Sequence, residues 1–132
     1  MASFGQQVKA FNQHAVSNTD KTVRAITFAL FREVIRRTPV DTGRLKGNWI
    51  CTVSSPAWGT TTIDDKSGAR AIAGVAQNMG GLGSKTFLSN NLPYAHRIEY
   101  DGWSHTKAPS GMIRVSFARI DQIVRLAAQG LK

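Results

Sequence analysis

Residues 38–49 read TPVDTGRLKGNW and join a helical pattern to a strand pattern, so this stretch decides where the chain turns back on itself. Pro39 disfavours a helical conformation in the residue before it, and the preceding helix is therefore expected to end near Arg37 or Thr38. The stretch predicts a rigid corner between a basic helix and a small sheet.

A short polar side chain and a glycine predict how the corner turns. Asp41 can close an Asx turn on Gly43, and Gly43 can adopt a positive φ without steric cost. The corner is then expected to present the side chains of Arg44 and Lys46.

Helical periodicity precedes the corner. Ser3 and Gln6 fit a capping box. The apolar residues that follow recur at four- and three-residue steps and are Phe4, Val8, Phe11 and Ala15. The polar residues 17–20 interrupt this stripe and predict a break with new caps for a second helix. The first helix, over residues 3–16, is then a candidate extension arm.

Short elements are predicted after the corner from composition and spacing. In order, they are a strand over residues 48–54, a second short strand over 60–63, an Ala-rich helix capped by Asp64 and Asp65 and ended by Gly80 and Gly81, a strand over 86–89, a turn over 90–93 and a short helical turn over 94–100.

A long C-terminal helix is predicted to begin near Pro109 and Ser110. Its apolar stripe consists of Ile113, Phe117, Ile120, Val124, Ala127 and Leu131. The predicted fold class is therefore α+β: a small antiparallel β-sheet packed with long N- and C-terminal amphipathic helices, in a single domain over residues 1–132.

Composition narrows the class of protein. The chain has 132 residues and a formal net charge of +9, from 17 Lys and Arg against 8 Asp and Glu. The excess lies in the two end thirds, because residues 47–101 carry equal numbers of basic and acidic side chains. Cys51 is the single cysteine, which excludes an internal disulfide. No apolar run approaches the roughly 18 residues of a membrane-spanning helix, and the N-terminus predicts no secretory signal.

Catalytic chemistry is not expected from the residue pattern. Residues 80–86 read GGLGSKT, but Ser84 separates the glycines from Lys85, and the glycines are predicted to follow a helix and precede a strand, the reverse of a phosphate-binding loop. Cys51 lies in the middle of an apolar strand, and the three histidines show no metal-ligand spacing. We therefore expect no enzyme, no cofactor and no metal. A minor hydrolytic enzyme is a hypothesis that rests only on Cys51 and the histidines.

Basic side chains of the helix and corner support a competing hypothesis. They could form a patch that contacts phosphates, because clustered Lys and Arg supply affinity for a nucleic-acid backbone. The members of this patch are Arg24, Arg32, Arg36, Arg37, Arg44 and Lys46. Two interpretations stay open: a solvated helix face, or a small basic protein that binds DNA without sequence specificity, since no sequence-reading motif is present.

The corner and a second stretch resemble a known family. Residues 38–49 resemble the hallmark that follows the basic helix in tail-completion (neck) proteins of long-tailed double-stranded-DNA bacteriophages. Residues 89–104, SNNLPYAHRIEYDGWS, resemble the second hallmark of that family, and residues 108–112, APSGM, resemble its entry to the final helix. One departure is the loop at 101–106, where relatives often carry glycine directly after the tyrosine. The motif and assembly residues implied by the resemblance are Pro39, Asp41, Thr42, Gly43, Arg44, Leu45, Pro93, Tyr94, Ala95, Glu99, Tyr100, Pro109, Gly111 and Met112.

The resemblance implies a virion structural protein that completes the tail and joins it to the head connector. It implies a homo-oligomeric ring, taken as a hexamer from the usual tail symmetry of the family, with a central channel through which genomic DNA passes non-specifically. The implied partners are connector, tail-terminator or tail-tube proteins. The implied location is the virion neck, after assembly in the host cytoplasm, with no membrane involved.

Ring and channel contacts are expected at exposed aromatic and basic residues. A ring needs two unlike faces on each subunit, and aromatic residues are enriched at protein interfaces. The candidate loops are residues 58–62, residues 80–84 and the loop around residue 103. The candidate DNA-channel or ring contacts are Arg24, Arg32, Arg36, Arg37, Lys46, Trp58 and Trp103. Within the second hallmark, Glu99 is also expected to pair with a nearby arginine.

Overall fold

The computed structural model describes residues 3–101, 108 and 111–129. The elements in these residues are α1 (Phe4–Arg36), α2 (Arg44–Gly47), β1 (Ile50–Val53), α3 (Ala69–Asn78), β2 (Thr86–Ser89), α4 (Ala95–Tyr100), α5 (Ile113–Ala118) and α6 (Ile120–Gln129). A long N-terminal helix and a small antiparallel sheet confirm the predicted α+β class.

The sheet in the described residues consists of β1 and β2, paired antiparallel from Ile50 opposite Ser89 to Val53 opposite Thr86. Both strands lie within the ranges predicted for them. The additional strand predicted over residues 60–63 is wrong. There the side-chain amide of Asn48 takes the part of a partner strand, because it donates to the Thr61 carbonyl (3.0 Å) and accepts the Thr61 N–H (2.8 Å).

Helix α1 is continuous through the polar residues 17–20, so the predicted break into two helices is wrong. The hydroxyls there bond inside the helix instead of capping a new one: Thr19 donates to the Ala15 carbonyl and Thr22 to the Asn18 carbonyl, both at 2.9 Å. The capping box of Ser3 and Gln6 is confirmed, as is the stop before Pro39, since the last helical residue is Arg36.

The two halves of α1 differ in burial. Its 33 residues extend for about 50 Å at 1.5 Å per residue. Residues 3–19 are all exposed, whereas the C-terminal half packs against α3, α5 and α6 and buries Val34 and Ile35 in the core. We call residues 3–19 the arm. Its apolar stripe faces solvent, with Phe4 82% and Phe11 70% exposed.

The core lies where the C-terminal half of α1 meets the sheet, α3 and the start of α5. Its buried apolar residues include Ile35, Leu45, Trp49, Cys51, Val75, Leu92, Ile98 and Met112. One buried hydrogen-bond chain connects α1 to the residue before β1: the Trp49 indole Nε1–H donates to the Thr38 hydroxyl (2.8 Å), which donates to the Val34 carbonyl (2.8 Å).

The C-terminal segment forms two helices with a break at Arg119, so a single long helix is wrong for residues 113–129. The Ser116 hydroxyl bonds back to the Met112 carbonyl (2.7 Å), a contact that commonly bends helices. Helix α5 buries Ser116 and leaves Phe117 61% exposed, so its predicted stripe does not face the core. The predicted beginning at residues 109 and 110, and Leu131 of the predicted stripe, lie outside the described residues.

We predict that Thr38→Val lowers the free energy of unfolding by about 1–3 kcal/mol, because it keeps the shape of the side chain but leaves the buried Trp49 N–H without an acceptor. Urea unfolding measures the change. The matched control is Thr22→Val, whose hydroxyl bonds the exposed face of α1, and it should stay within about 0.5 kcal/mol. Equal losses in the two variants would contradict the structural role of this bond.

Candidate functional site

Gly43 holds the first corner together through its backbone. Its φ is +93°, as predicted, and an added Cβ would lie 2.6 Å from the Lys66 nitrogen and 2.8 Å from the Asp65 carbonyl carbon. Its carbonyl accepts the N–H groups of Gly47 (2.9 Å) and Asp65 (3.0 Å). Conformation and close approach therefore both require glycine at this position.

The turn before Gly43 is closed differently from the prediction. The hydroxyl of Thr42 accepts the Arg44 N–H at 3.2 Å, whereas Asp41 is exposed. The Asx turn predicted from Asp41 is therefore wrong. The positive φ of Gly43 brings the Arg44 amide within reach of the hydroxyl two residues earlier, which is the geometry of an ST turn.

Lys46 is buried, so the prediction that the corner presents it is wrong, whereas Arg44 is exposed as predicted. Helix α2 turns the Lys46 side chain inward against Gly68, where an added Cβ would lie 3.0 Å from Cδ of Lys46. Burial lowers the pKa of Lys46, and the Asp65 carboxylate opposes that effect. Lys46 is therefore part of the corner and is not available at the surface as a phosphate contact.

Asp65 caps α3 from outside the helix. Gly68, with φ +77°, is the N-cap residue of α3 and has no side chain to offer. The carboxylate of Asp65 accepts the Ala71 N–H at 3.0 Å instead. The predicted cap from this acidic pair is thus supplied by Asp65, three residues before the N-cap position.

Glu99 performs the same task for α5 with more bonds. Its carboxylate accepts the backbone N–H groups of Met112 (2.5 Å), Ile113 (2.8 Å) and Arg114 (2.9 Å). The Arg114 guanidinium adds a contact at 3.2 Å from Nε, which confirms the predicted arginine pair. Burial by itself raises the pKa of Glu99, but the backbone and guanidinium donors outweigh it and hold the pKa below its ordinary value.

Gly111 permits the Glu99 contact. Its φ is +89°, and an added Cβ would lie 2.6 Å from the Glu99 carbonyl oxygen and 2.8 Å from its carboxyl carbon. We use the term clamp for a buried carboxylate that caps a helix together with a glycine that lets the two backbones approach closely. Asp65 and Gly43 form the first clamp, and Glu99 and Gly111 form the second.

The side chains of Asn90 and Asn91 bond to distant parts of the chain, whereas the sequence predicted only a turn at these residues. Asn90 Nδ2 donates to the Leu45 carbonyl (2.8 Å), so the second stretch is bonded directly to the first. Asn91 Nδ2 donates to the carbonyls of Ala57 (2.9 Å) and Gly59 (3.1 Å), on both sides of Trp58. Two consecutive asparagines shortly before a proline indicate a turn in the sequence. They do not indicate these bonds, because the bonded carbonyls lie more than 30 residues away.

Trp58 lies on a loop whose backbone is held by side-chain hydrogen bonds, and its own side chain is exposed. Asn48 bonds the loop at Thr61 and Asn91 bonds it on either side of the tryptophan, yet the Trp58 side chain is 86% exposed. The predicted exposure of this loop is confirmed. A large apolar side chain presented by a fixed backbone loses little entropy when it is covered by another protein.

The remaining motif residues divide between core and surface. Leu45, Ala95 and Met112 are buried. Pro39 and Tyr94 are half-buried, and Pro93 is exposed. Tyr100 is 59% exposed, with the Arg114 guanidinium 5.1 Å above its ring. Pro109 lies outside the described residues.

The basic residues of α1 do not form an unpaired patch. Arg24 pairs with Asp20 (3.0 Å) and Arg37 with Glu33 (2.7 Å), and Glu33 also receives the Arg119 guanidinium from the loop after α5. Two further arginines of the predicted patch stand differently: the Arg32 guanidinium lies 5.3 Å from the centre of the Phe28 ring, and Arg36 is exposed. Trp103, the other aromatic candidate, lies outside the described residues.

The glycine turn at residues 80–84 docks on α1. Leu82 N–H donates to the Asp20 carboxylate (2.8 Å), and Gly81 is buried against Asp20 and Arg24. The turn follows α3 and precedes β2, as predicted, which is the wrong order for a phosphate-binding loop.

No catalytic grouping is seen in the described residues. Cys51 is buried, and burial raises the pKa of its thiol, which disfavours the reactive thiolate. His14 and His96 are exposed, and residues 3–101, 108 and 111–129 contain no group of three side chains suited to hold a metal ion. His105 lies outside these ranges. Within the same part of the chain, no helix is both long and apolar enough to cross a membrane.

Comparison with protein-family models, with curated proteins and with solved structures gives no match to this chain.

We predict that Gly43→Ala and Gly74→Ala change stability in opposite directions. Gly43→Ala forces the backbone at Asp65 and Lys66 to move and should lower the free energy of unfolding by more than about 1 kcal/mol. Gly74 lies inside α3 with open space around it, so Gly74→Ala should raise stability by about 0.5–1 kcal/mol. Chemical denaturation of both variants checks the signs, and a stabilising Gly43→Ala would contradict the clamp.

We predict that Glu99→Gln lowers the free energy of unfolding by about 2–3 kcal/mol at neutral pH, because charge-assisted bonds to the start of α5 are lost. The folded-state pKa of Glu99 is lowered, so its stabilisation is present above the ordinary value of 4.5 and is lost as pH falls through the folded pKa. The gap between wild type and variant should therefore narrow in acid. Asp121→Asn, which removes an exposed acid of α6, is the control. A gap that is independent of pH would contradict the carboxylate cap.

Proposed function

We propose that this chain is a structural protein of a bacteriophage neck, which completes the tail and joins it to the head connector as part of a ring around a DNA channel. The single observation that carries the proposal is that the stretches resembling the neck family interlock. Asn90 of the second stretch bonds Leu45 of the first, and Glu99 of the second bonds Met112 of the third. Residues separated in sequence thus support one corner region, as expected if the resemblance reflects a shared scaffold.

The surface left by that scaffold suits an assembly protein. The motif carboxylate of Glu99 caps a helix, as does Asp65 between the motifs, so both serve the fold. The same region fixes the loop that exposes Trp58. Tryptophan is the residue type most often found at the energetic centre of protein interfaces, so we assign Trp58 to the contact with a neighbouring neck or tail protein.

The DNA-binding alternative has less support. Arg24 and Arg37 have acidic partners and Lys46 is buried, which removes three of the six residues on which the patch was built. Arg32, Arg36 and Arg44 retain a surface position, which fits loose contact with DNA passing through a channel better than a dedicated binding site.

The test is genetic and biochemical, in a phage whose genome encodes this chain. Deleting the gene should give DNA-filled heads and separate tails, and immunogold labelling of intact virions should mark the head–tail junction. Virions that lack this chain, or a deletion that leaves joined particles, would overturn the proposal.

Trp58→Ala should lower the yield of joined particles at least about tenfold in complementation, because an interface centre of this type is commonly worth 2 kcal/mol or more. Its folded stability should not change, since the side chain is exposed. Leu126→Ala, which truncates an exposed apolar side chain of α6 outside the candidate loops, is the matched control and should complement normally. Equal yields for the two variants would remove Trp58 from the contact.

A further inference from the structure

Two apolar surfaces of the chain lie apart from the Trp58 loop. The first is the stripe of the arm, formed by Phe4, Val8, Phe11 and Ala15, at the spacing of a helix that binds in a groove. The second is a groove of about 230 Å³ between α1, β2 and α5. It is lined mainly by Leu30, Phe31, Phe87, Leu88, Ile113 and Phe117. We call it the Phe117 groove.

The two surfaces match in chemistry. Among the residues that the structure describes, no charged side chain lines the Phe117 groove, and Ile113 and Phe117 at its rim are 44% and 61% exposed. The arm carries no acidic residue, and its stripe is wholly apolar. A groove of about 250 Å³ between α1 and α6 suits the stripe less well, because Arg32, Glu33 and Arg119 line it and an apolar helix would bury their charges.

The arm cannot fill the groove of its own chain. Phe11 and Leu30 belong to the same continuous helix and are about 28 Å apart along its axis at 1.5 Å per residue. A straight helix does not fold back on itself, so an arm that occupies this groove belongs to another molecule.

We propose that the arm of one copy binds in the Phe117 groove of a second copy. The inference rests on the proposed function in taking identical neighbours as the partners. The contact joins two unlike faces, so it can repeat around a ring until every arm and every groove is covered. An open chain of copies would leave one arm and one groove exposed at its ends, which favours closure.

Each contact is small and gains from repetition around a ring. The stripe of the arm offers roughly 400 Å² of accessible surface, mostly from its two phenylalanines. The rim of the groove offers the exposed parts of Ile113 and Phe117. Covering the stripe with an equal area of the groove buries roughly 800 Å² in total, below the standard size of an interface, so a single contact is weak. In a closed ring each copy makes the contact once through its arm and once through its groove, and the last contact forms within one assembly, which stabilises the whole ring.

Sedimentation velocity over a concentration series tests the contact with the full chain. Wild type should associate. Phe4→Ser with Phe11→Ser should weaken association on the order of a hundredfold and Phe117→Ser on the order of tenfold, because each buried phenylalanine is worth about a factor of ten. Leu126→Ser, which changes an exposed apolar residue of α6 outside the arm and the Phe117 groove, is the matched control and should associate like wild type. Circular dichroism should be the same in all four proteins.

Mixing the variants distinguishes this contact from pairing between arms. The arm variant keeps its groove and the Phe117→Ser variant keeps its arm, so together they should form a one-to-one complex that neither forms alone. Pairing between arms would leave Phe117→Ser fully associated, and that result would overturn the proposal.

A photoreactive benzoylphenylalanine at position 11 identifies the surface directly. The expected cross-links join it to residues 86–88 or 113–117 of another copy. A strict monomer at the highest concentration the protein tolerates, or cross-links confined to the arms, would overturn the proposal.

The outcomes also separate this contact from the neck role. Association through the groove in a protein that does not join heads to tails would leave the contact standing and remove the proposed function. Normal joining by the Phe4→Ser, Phe11→Ser variant would retain the proposed function and remove the contact.

Discussion

The carboxylate of Glu99 is the group on which the C-terminal half of the structure depends. It is buried and accepts three backbone N–H groups at the start of α5, which have no partner inside their own helix. Those bonds set the direction of α5, and α5 and α6 in turn cover the C-terminal half of α1. One charged side chain thus joins α4 to α5 and positions the helices that complete the core.

The first corner uses the same physical solution. Asp65 caps α3 where the N-cap residue is a glycine, and Gly43 lets the two backbones approach closely, as Gly111 does for Glu99. In both clamps the charge is supplied by a residue outside the helix, and the glycine is required by contact as well as by φ. Both clamps therefore stabilise the fold, and the proposed contacts with other molecules use surfaces outside them.

Those surfaces are of three kinds. The arm stripe and the Phe117 groove are apolar, the Trp58 loop is fixed at both sides by asparagine side chains, and the basic face of α1 is partly neutralised by Asp20 and Glu33. The basic face of α1 is therefore less positive than the net charge of +9 on the whole chain would suggest, because some of its arginines are paired with carboxylates. The arrangement is consistent with a subunit that binds copies of itself and unlike neighbours, with DNA as a passing contact.

The sequence by itself determined the features that depend on near neighbours in the chain: both strands, the helix stop before Pro39, the capping box and the positive φ of Gly43. Its prediction of a break in α1 failed because the threonine hydroxyls could bond either a new helix start or the carbonyls of the existing helix. Only the tertiary structure decided the burial of Lys46, the loop bonds of Asn91 and the outward position of Phe117. Each of these is set by contacts between segments distant in sequence, where local periodicity carries no information about which face meets the core.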